Sequence, residues 1–84
     1  MKLTAMSREV FDHVKKYGKV SIAELASVTG RTERSVGANV TDLKKKALAV
    51  RVKETVEGEE DPVTYVVLTE EGMAFDPDAA VDAE

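Results

Sequence analysis

The side chains of this sequence that are best suited to chemistry are the basic and hydroxyl residues between positions 31 and 53. This stretch holds seven Lys and Arg against two acidic residues, a local charge of +5. Arg donates two parallel hydrogen bonds to a guanine edge, and Lys binds phosphate oxygens as a point charge. The pattern indicates a nucleic-acid-binding surface. The residues that we expect to contact DNA are Arg31, Thr32, Arg34, Ser35, Ala38, Thr41, Lys44, Lys45, Arg51 and Lys53.

The charge of the whole chain is unevenly distributed. The 84 residues have a net charge of −4, but residues 1–53 carry all 12 basic residues against five acidic ones, a net of +7. Residues 54–84 carry eleven acidic residues and no basic one, a net of −11. Such asymmetry is typical of proteins that bind a nucleic acid or that carry an acidic interaction segment. Basic residues on a helix are also found as a solvent-exposed face with no binding role. Whether these residues bind a partner therefore depends on the helices and strands in which they lie.

Other kinds of chemistry find little support in the sequence. The chain has no Cys, which excludes disulfides and thiolate metal sites. His13 is the only histidine, and we expect it at the surface. The acidic run Glu57–Asp61 lacks the spacing of a calcium loop, and no nucleophile–base set or phosphate loop is visible. We therefore expect a protein that is not an enzyme and has no cofactor. Because no apolar run is long enough for a membrane span, we expect it in the cytoplasm.

Two helices are predicted in the first third of the chain. The first spans residues 7–17, with Ser7 as its N-cap. Its buried stripe is expected to consist of Met6, Val10, Phe11, Val14 and Tyr17. The second helix begins with a capping box formed by Ser21 and Glu24. It ends before Gly30, which takes a left-handed conformation without steric cost.

A third helix is predicted over about residues 32–46, with Thr32 as its N-cap. Its buried stripe is expected to consist of Val36, Val40, Leu43 and Ala47. The opposite face then holds Arg34, Ala38, Thr41 and Lys45. Gly37 and Ala38 leave the middle of that face thin, so the helix backbone is able to approach a groove wall closely.

The chain then changes from a helical to a strand-like pattern. Two strands are predicted, at residues 48–55 and 63–69, and the short polar turn between them indicates a β-hairpin. A short closing turn or helix follows, and we expect Phe75 to pack on the core. Residues 1–75 are predicted to form one domain. Residues 76–84 are predicted to form an acidic, disordered tail.

The predicted order of elements is that of an α+β winged helix-turn-helix, with three helices and a two- or three-stranded β-hairpin wing. Over about residues 7–73 the sequence resembles small winged-helix transcriptional regulators of the MarR and ArsR type. The resemblance rests on Ala-Glu-Leu-Ala in the second helix, Ser-Val-x-x-x-Val-x-x-Leu in the third and Leu-Thr-Glu-Glu-Gly after the hairpin. In those proteins the wing commonly presents Arg or Lys to the minor groove. Here the wing tip holds four carboxylates between Glu57 and Asp61 instead.

These features lead to two hypotheses of different kinds. The first is a DNA-binding transcriptional regulator with its third helix in the major groove of double-stranded DNA, acting as a homodimer on a pseudo-palindromic site. The first helix or the segment around Met73 and Phe75 would form the dimer surface. The alternative is a protein-interaction module whose acidic wing (Glu57–Asp61) and tail bind a basic partner. A combination is also open, in which the tail competes with DNA for the basic helix.

Overall fold

The computed structural model describes residues 3–78, which form an α+β winged helix-turn-helix. The predicted fold class is therefore confirmed. Within the described range there are three strands and four helices, because the predicted closing turn forms a short fourth helix. The elements are α1 (Ala5–Tyr17), β1 (Lys19–Ser21), α2 (Ile22–Thr29), α3 (Glu33–Lys45), β2 (Ala49–Glu54), β3 (Val63–Leu68) and α4 (Glu70–Ala74).

The three strands form an antiparallel sheet in the order β1-β3-β2. The β2–β3 hairpin is in register from the pair Ala49–Leu68 at its base to the pair Glu54–Val63 near its tip. Side chains alternate between the two faces of the sheet. Ala49 is fully buried against the helices, so Arg51 and Lys53 continue the same face beyond the core and extend it toward the wing tip.

The hydrophobic core lies between the sheet and the first three helices. Each of these helices and each strand contributes at least one buried apolar side chain, and Phe11, Leu25 and Leu43 are the largest. The core consists of Val10, Phe11, Val14, Val20, Leu25, Ala26, Val36, Val40, Leu43, Leu48, Ala49 and Val66. The stripe predicted for α3 is thus confirmed at three of its four positions.

The buried face of α1 differs from the prediction at both ends. Met6 and Tyr17 are 55% and 58% exposed, so placing them in the core was wrong. The helix begins at Ala5 rather than Ser7, because the Thr4 hydroxyl is the N-cap and accepts a hydrogen bond from the Ser7 amide at 3.1 Å. Ser7 itself is only 1% exposed, and its hydroxyl donates to Asp42 of α3 at 3.1 Å.

The turns around the second and third helices follow the prediction. The Ser21 hydroxyl accepts from the Glu24 amide at 3.0 Å, and the Thr32 hydroxyl accepts from the Ser35 amide at 3.1 Å. Gly30 has a φ of 68°, the left-handed conformation that the tight turn between α2 and α3 needs. Together these contacts define the start of α3, the predicted recognition helix.

Ala47 does not extend the buried stripe of α3, and that prediction was wrong. The helix ends at Lys45, and Ala47 is exposed with a φ of 62°. This left-handed residue turns the chain into β2 and leaves Leu48 as the buried residue. The Ala47 carbonyl accepts a hydrogen bond from the Thr69 hydroxyl at 2.6 Å, which holds the turn against the start of α4.

The C-terminal part of the described chain packs on α1. Phe75 contacts Phe11 edge to face, with ring centroids 5.6 Å apart, as predicted. Lys15 donates to the Phe75 carbonyl at 3.4 Å, and Arg8 pairs with Asp78 at 2.5 Å. Most of the predicted disordered tail, residues 79–84, lies outside the described residues.

Candidate nucleic-acid interface

The face of α3 that is opposite the core is open to solvent. Because Val36, Val40 and Leu43 are fully buried, the helix turns its other side outward. Arg34, Ala38 and the two lysines near the C-terminal end of the helix are exposed. We call this the α3 outer face, and its members are Arg34, Gly37, Ala38, Thr41, Lys44 and Lys45.

The N-terminal turn of α3 lies at one end of the outer face. Thr32 is exposed and Ser35 is half-buried, and the Thr32 hydroxyl oxygen is engaged as the N-cap. Backbone amides at a helix N-terminus attract anions. Glu33 in the same turn opposes that attraction, so the turn depends on Arg34 for its positive charge.

Arg51 of β2 contacts the outer face at Gly37 and Thr41. Its Nη2 atom donates to the Gly37 carbonyl and to the Thr41 hydroxyl, both at 2.9 Å. These bonds connect the wing to α3, and they were not predictable because they join residues 10 and 14 positions apart. Lys53, two residues further along the same face of β2, is exposed.

Arg31 is held on the other side of α3. Its side chain is only 13% exposed and donates to the Asn39 side chain and to the Met6 carbonyl. It also lies 3.5 Å from the Glu9 carboxylate. The Arg31 guanidinium therefore clamps α1 to α3 and is not part of the outer face. Asn39 was not predictable as its partner, because eight residues separate the two and no motif links them.

A second polar contact between α1 and α3 involves Asp42. Its carboxylate accepts from the buried Ser7 hydroxyl at 3.1 Å and from the Lys46 ammonium at 2.6 Å. The hydrogen bond from Lys46 holds the pKa of Asp42 below its ordinary value of 3.8, with a further contribution from Ser7. Lys46 is thus occupied within the protein, whereas its neighbours Lys44 and Lys45 are exposed.

The wing tip carries the opposite charge from the outer face. All the acidic residues of Glu57–Asp61 are exposed. The tip borders an open cleft of about 680 Å³ that Glu33, Ile22 and Ala23 line from the other side. The negative potential therefore lies beside the N-terminal end of α3, while the C-terminal end of that helix is basic.

Residues 3–78 contain neither a metal-binding cluster nor a membrane-spanning helix. That part of the chain contains no group of three or more His, Cys, Asp and Glu side chains arranged to hold a metal ion. It also contains no helix long and apolar enough to cross a membrane.

Solved structures of other proteins share this architecture. The YusO protein from Bacillus subtilis superposes with a TM-score of 0.73 at 27% sequence identity, over 83% of this chain and 48% of that protein's chain. A transcriptional regulator homologue protein from Pyrococcus horikoshii OT3 superposes with a TM-score of 0.69 at 19% identity, over 81% of this chain and 65% of that one. The chain thus spans about half of the first protein and just under two thirds of the second.

These likenesses confirm the winged-helix fold that the sequence indicated. The second of them, at 19% identity, carries information about the fold alone. No protein-family model and no curated protein sequence matches the chain.

Proposed function

We propose that this protein binds double-stranded DNA as a transcriptional regulator, with α3 in the major groove. The observation that carries the proposal is the outer face of α3, which is basic at both ends and thin in the middle. Arg34 and Lys45 are eleven residues apart, which corresponds to about 16 Å along a helix axis. The major groove is about 12 Å wide. Both ends of the helix therefore reach phosphates while its middle approaches the base edges.

The predicted contact residues take different parts in this arrangement. Arg34 is exposed at the entry of the helix, where its guanidinium is able to donate to a guanine edge. Ala38 lies against the groove. Arg31 and Arg51 act by holding α3 against α1 and β2. The phosphate contacts are assigned to Thr32, Ser35, Lys44, Lys45 and Lys53.

The wing takes no part in phosphate binding in this proposal. Its tip carries the exposed carboxylates of Glu57–Asp61, which phosphates repel. DNA is therefore contacted along the outer face of α3, with the wing tip outside the contact.

We further propose that the protein works as a homodimer on a pseudo-palindromic site. One small domain makes few contacts, and two copies related by a twofold axis read half-sites about 34 Å apart. Exposed apolar side chains on α1 and α4 support a dimer surface there, namely Met6, Tyr17 and Met73. Light scattering at increasing protein concentration measures the mass, and a monomer at every concentration would remove this part of the proposal.

The variant Arg34→Ala tests the DNA-binding proposal. Fluorescence anisotropy of a labelled duplex, titrated with each variant, gives the dissociation constants. We expect Arg34→Ala to weaken binding to a selected site by about 1–3 kcal/mol. Lys16→Ala is the matched control, because it removes an exposed positive charge from α1 without touching α3. Equal affinities for the two variants would contradict the assignment of α3 as the recognition helix.

A further inference from the structure

The contact between Arg51 and Thr41 restricts what the Thr41 hydroxyl is able to do. Arg51 Nη2 lies 2.9 Å from Thr41 Oγ1 and is part of a guanidinium, which has five donors and no acceptor. The hydroxyl oxygen must therefore accept in this pair. Its own proton points elsewhere, and Thr41 is left with a hydrogen bond to donate.

The usual acceptor for such a proton is already occupied. A helical threonine commonly donates to the carbonyl four residues earlier, as Thr29 of α2 does to Leu25 at 2.6 Å. For Thr41 that carbonyl belongs to Gly37, which accepts from Arg51 at 2.9 Å and, as a helix carbonyl, from the backbone amide four residues on. Within residues 3–78 the structure gives the Thr41 proton no acceptor.

We propose that Arg51 makes Thr41 a hydrogen-bond donor to an acceptor atom on a base edge, and that this pair determines sequence specificity at one base pair. The inference rests on the proposed binding of α3 in the major groove. There, guanine offers O6 and N7, adenine offers N7 and thymine offers O4, whereas cytosine offers only its amino group as a donor. Opposite cytosine the Thr41 proton finds no acceptor, so cytosine is the base that is disfavoured at its position.

A base edge is favoured over a phosphate by the place of Thr41 on the helix. Thr41 lies in the middle of the outer face, next to Gly37 and Ala38, where the helix carries its shortest side chains. The long basic side chains of this face lie at its two ends. A short hydroxyl in the thin part of the face reaches the floor of the groove rather than its rim.

The test is a scan of single base-pair substitutions in a site selected with the wild-type protein. We expect one position at which cytosine is bound worst. Thr41→Val keeps the size of the side chain and removes the hydroxyl, so the preference at that position falls by about 3- to 10-fold. Thr41→Ser keeps the hydroxyl and retains the preference. Arg51→Met removes the donor but keeps the length, so the freed hydroxyl rotates and the discrimination against cytosine weakens at the same position.

The possible outcomes separate this inference from the proposed function. A Thr41→Val protein with an unchanged preference at every position overturns the inference alone. Uniform weakening on all sequences also overturns it, because that result assigns Thr41 to a phosphate. A wild-type protein that binds no duplex overturns both proposals. Thermal unfolding of each variant, together with the conservative Thr41→Ser change, separates a loss of contact from a loss of fold.

Discussion

Replacing Gly37 with alanine changes fold stability and DNA binding in opposite directions. Gly37 lies inside α3, where glycine costs about 0.8–1.0 kcal/mol relative to alanine. A Cβ at this position meets only Arg51 Nη2, at 3.9 Å, which is an ordinary contact. We therefore expect Gly37→Ala to raise the free energy of unfolding by about 0.5–1 kcal/mol and Tm by about 2–8 °C.

The same methyl group obstructs the proposed interface. It stands on the thin part of the outer face, beside the Arg51 guanidinium. Forcing a methylene into a close-packed contact costs about 1–3 kcal/mol, so we expect DNA affinity to fall about 5-fold or more. Circular dichroism during heating gives the stability, and anisotropy with a labelled duplex gives the affinity. A stabilised variant with unchanged affinity would refute the close approach of α3, and a destabilised variant would refute the described packing around Gly37.

Three further predictions concern stability and charge. Gly72→Ala should lower the free energy of unfolding by about 2 kcal/mol or more in chemical denaturation, because a Cβ there would lie 2.0 Å from the Leu48 carbonyl oxygen; a neutral effect would contradict that contact. Since the fold lowers the pKa of Asp42, its stabilising effect is present above the ordinary value of 3.8 and is lost as pH falls through the lower folded value. Denaturation at a series of acidic pH values should therefore show a weaker pH dependence for Asp42→Asn, and identical profiles would exclude the effect. Removing the wing-tip charges should strengthen DNA binding, most clearly at low salt, and weaker binding would mean that the tip contacts the partner. The substitutions for that test are E59Q, E60Q and D61N.

The features that were predictable from the sequence are those encoded by neighbouring residues. The caps at Ser21 and Thr32 and the left-handed Gly30 depend on contacts within three or four residues. The hairpin and the buried stripe of α3 follow from periodicity, which one strand or helix displays by itself. These local signals were enough to predict the winged helix and the outer face.

The features that were not predictable depend on partners far along the chain. Ser7 is buried because Asp42, 35 residues away, accepts its hydrogen bond, and an isolated serine gives no sign of that. Ala47 adopts a left-handed conformation that is rare for residues with a Cβ, so its helical spacing was misleading. The sequence likewise did not reveal which arginines are hydrogen-bonded to distant parts of the protein, as Arg31 and Arg51 are.

The salt dependence of binding to a random-sequence duplex tests the central claim most directly. Each phosphate neutralised by Lys or Arg contributes about −0.9 to the slope of the logarithm of the binding constant against the logarithm of salt concentration. With the exposed Lys44, Lys45 and Lys53 assigned to phosphates, we predict micromolar binding at low salt and a slope of about −3 per domain. No binding at low salt, or binding that salt leaves unchanged, would contradict DNA recognition by α3.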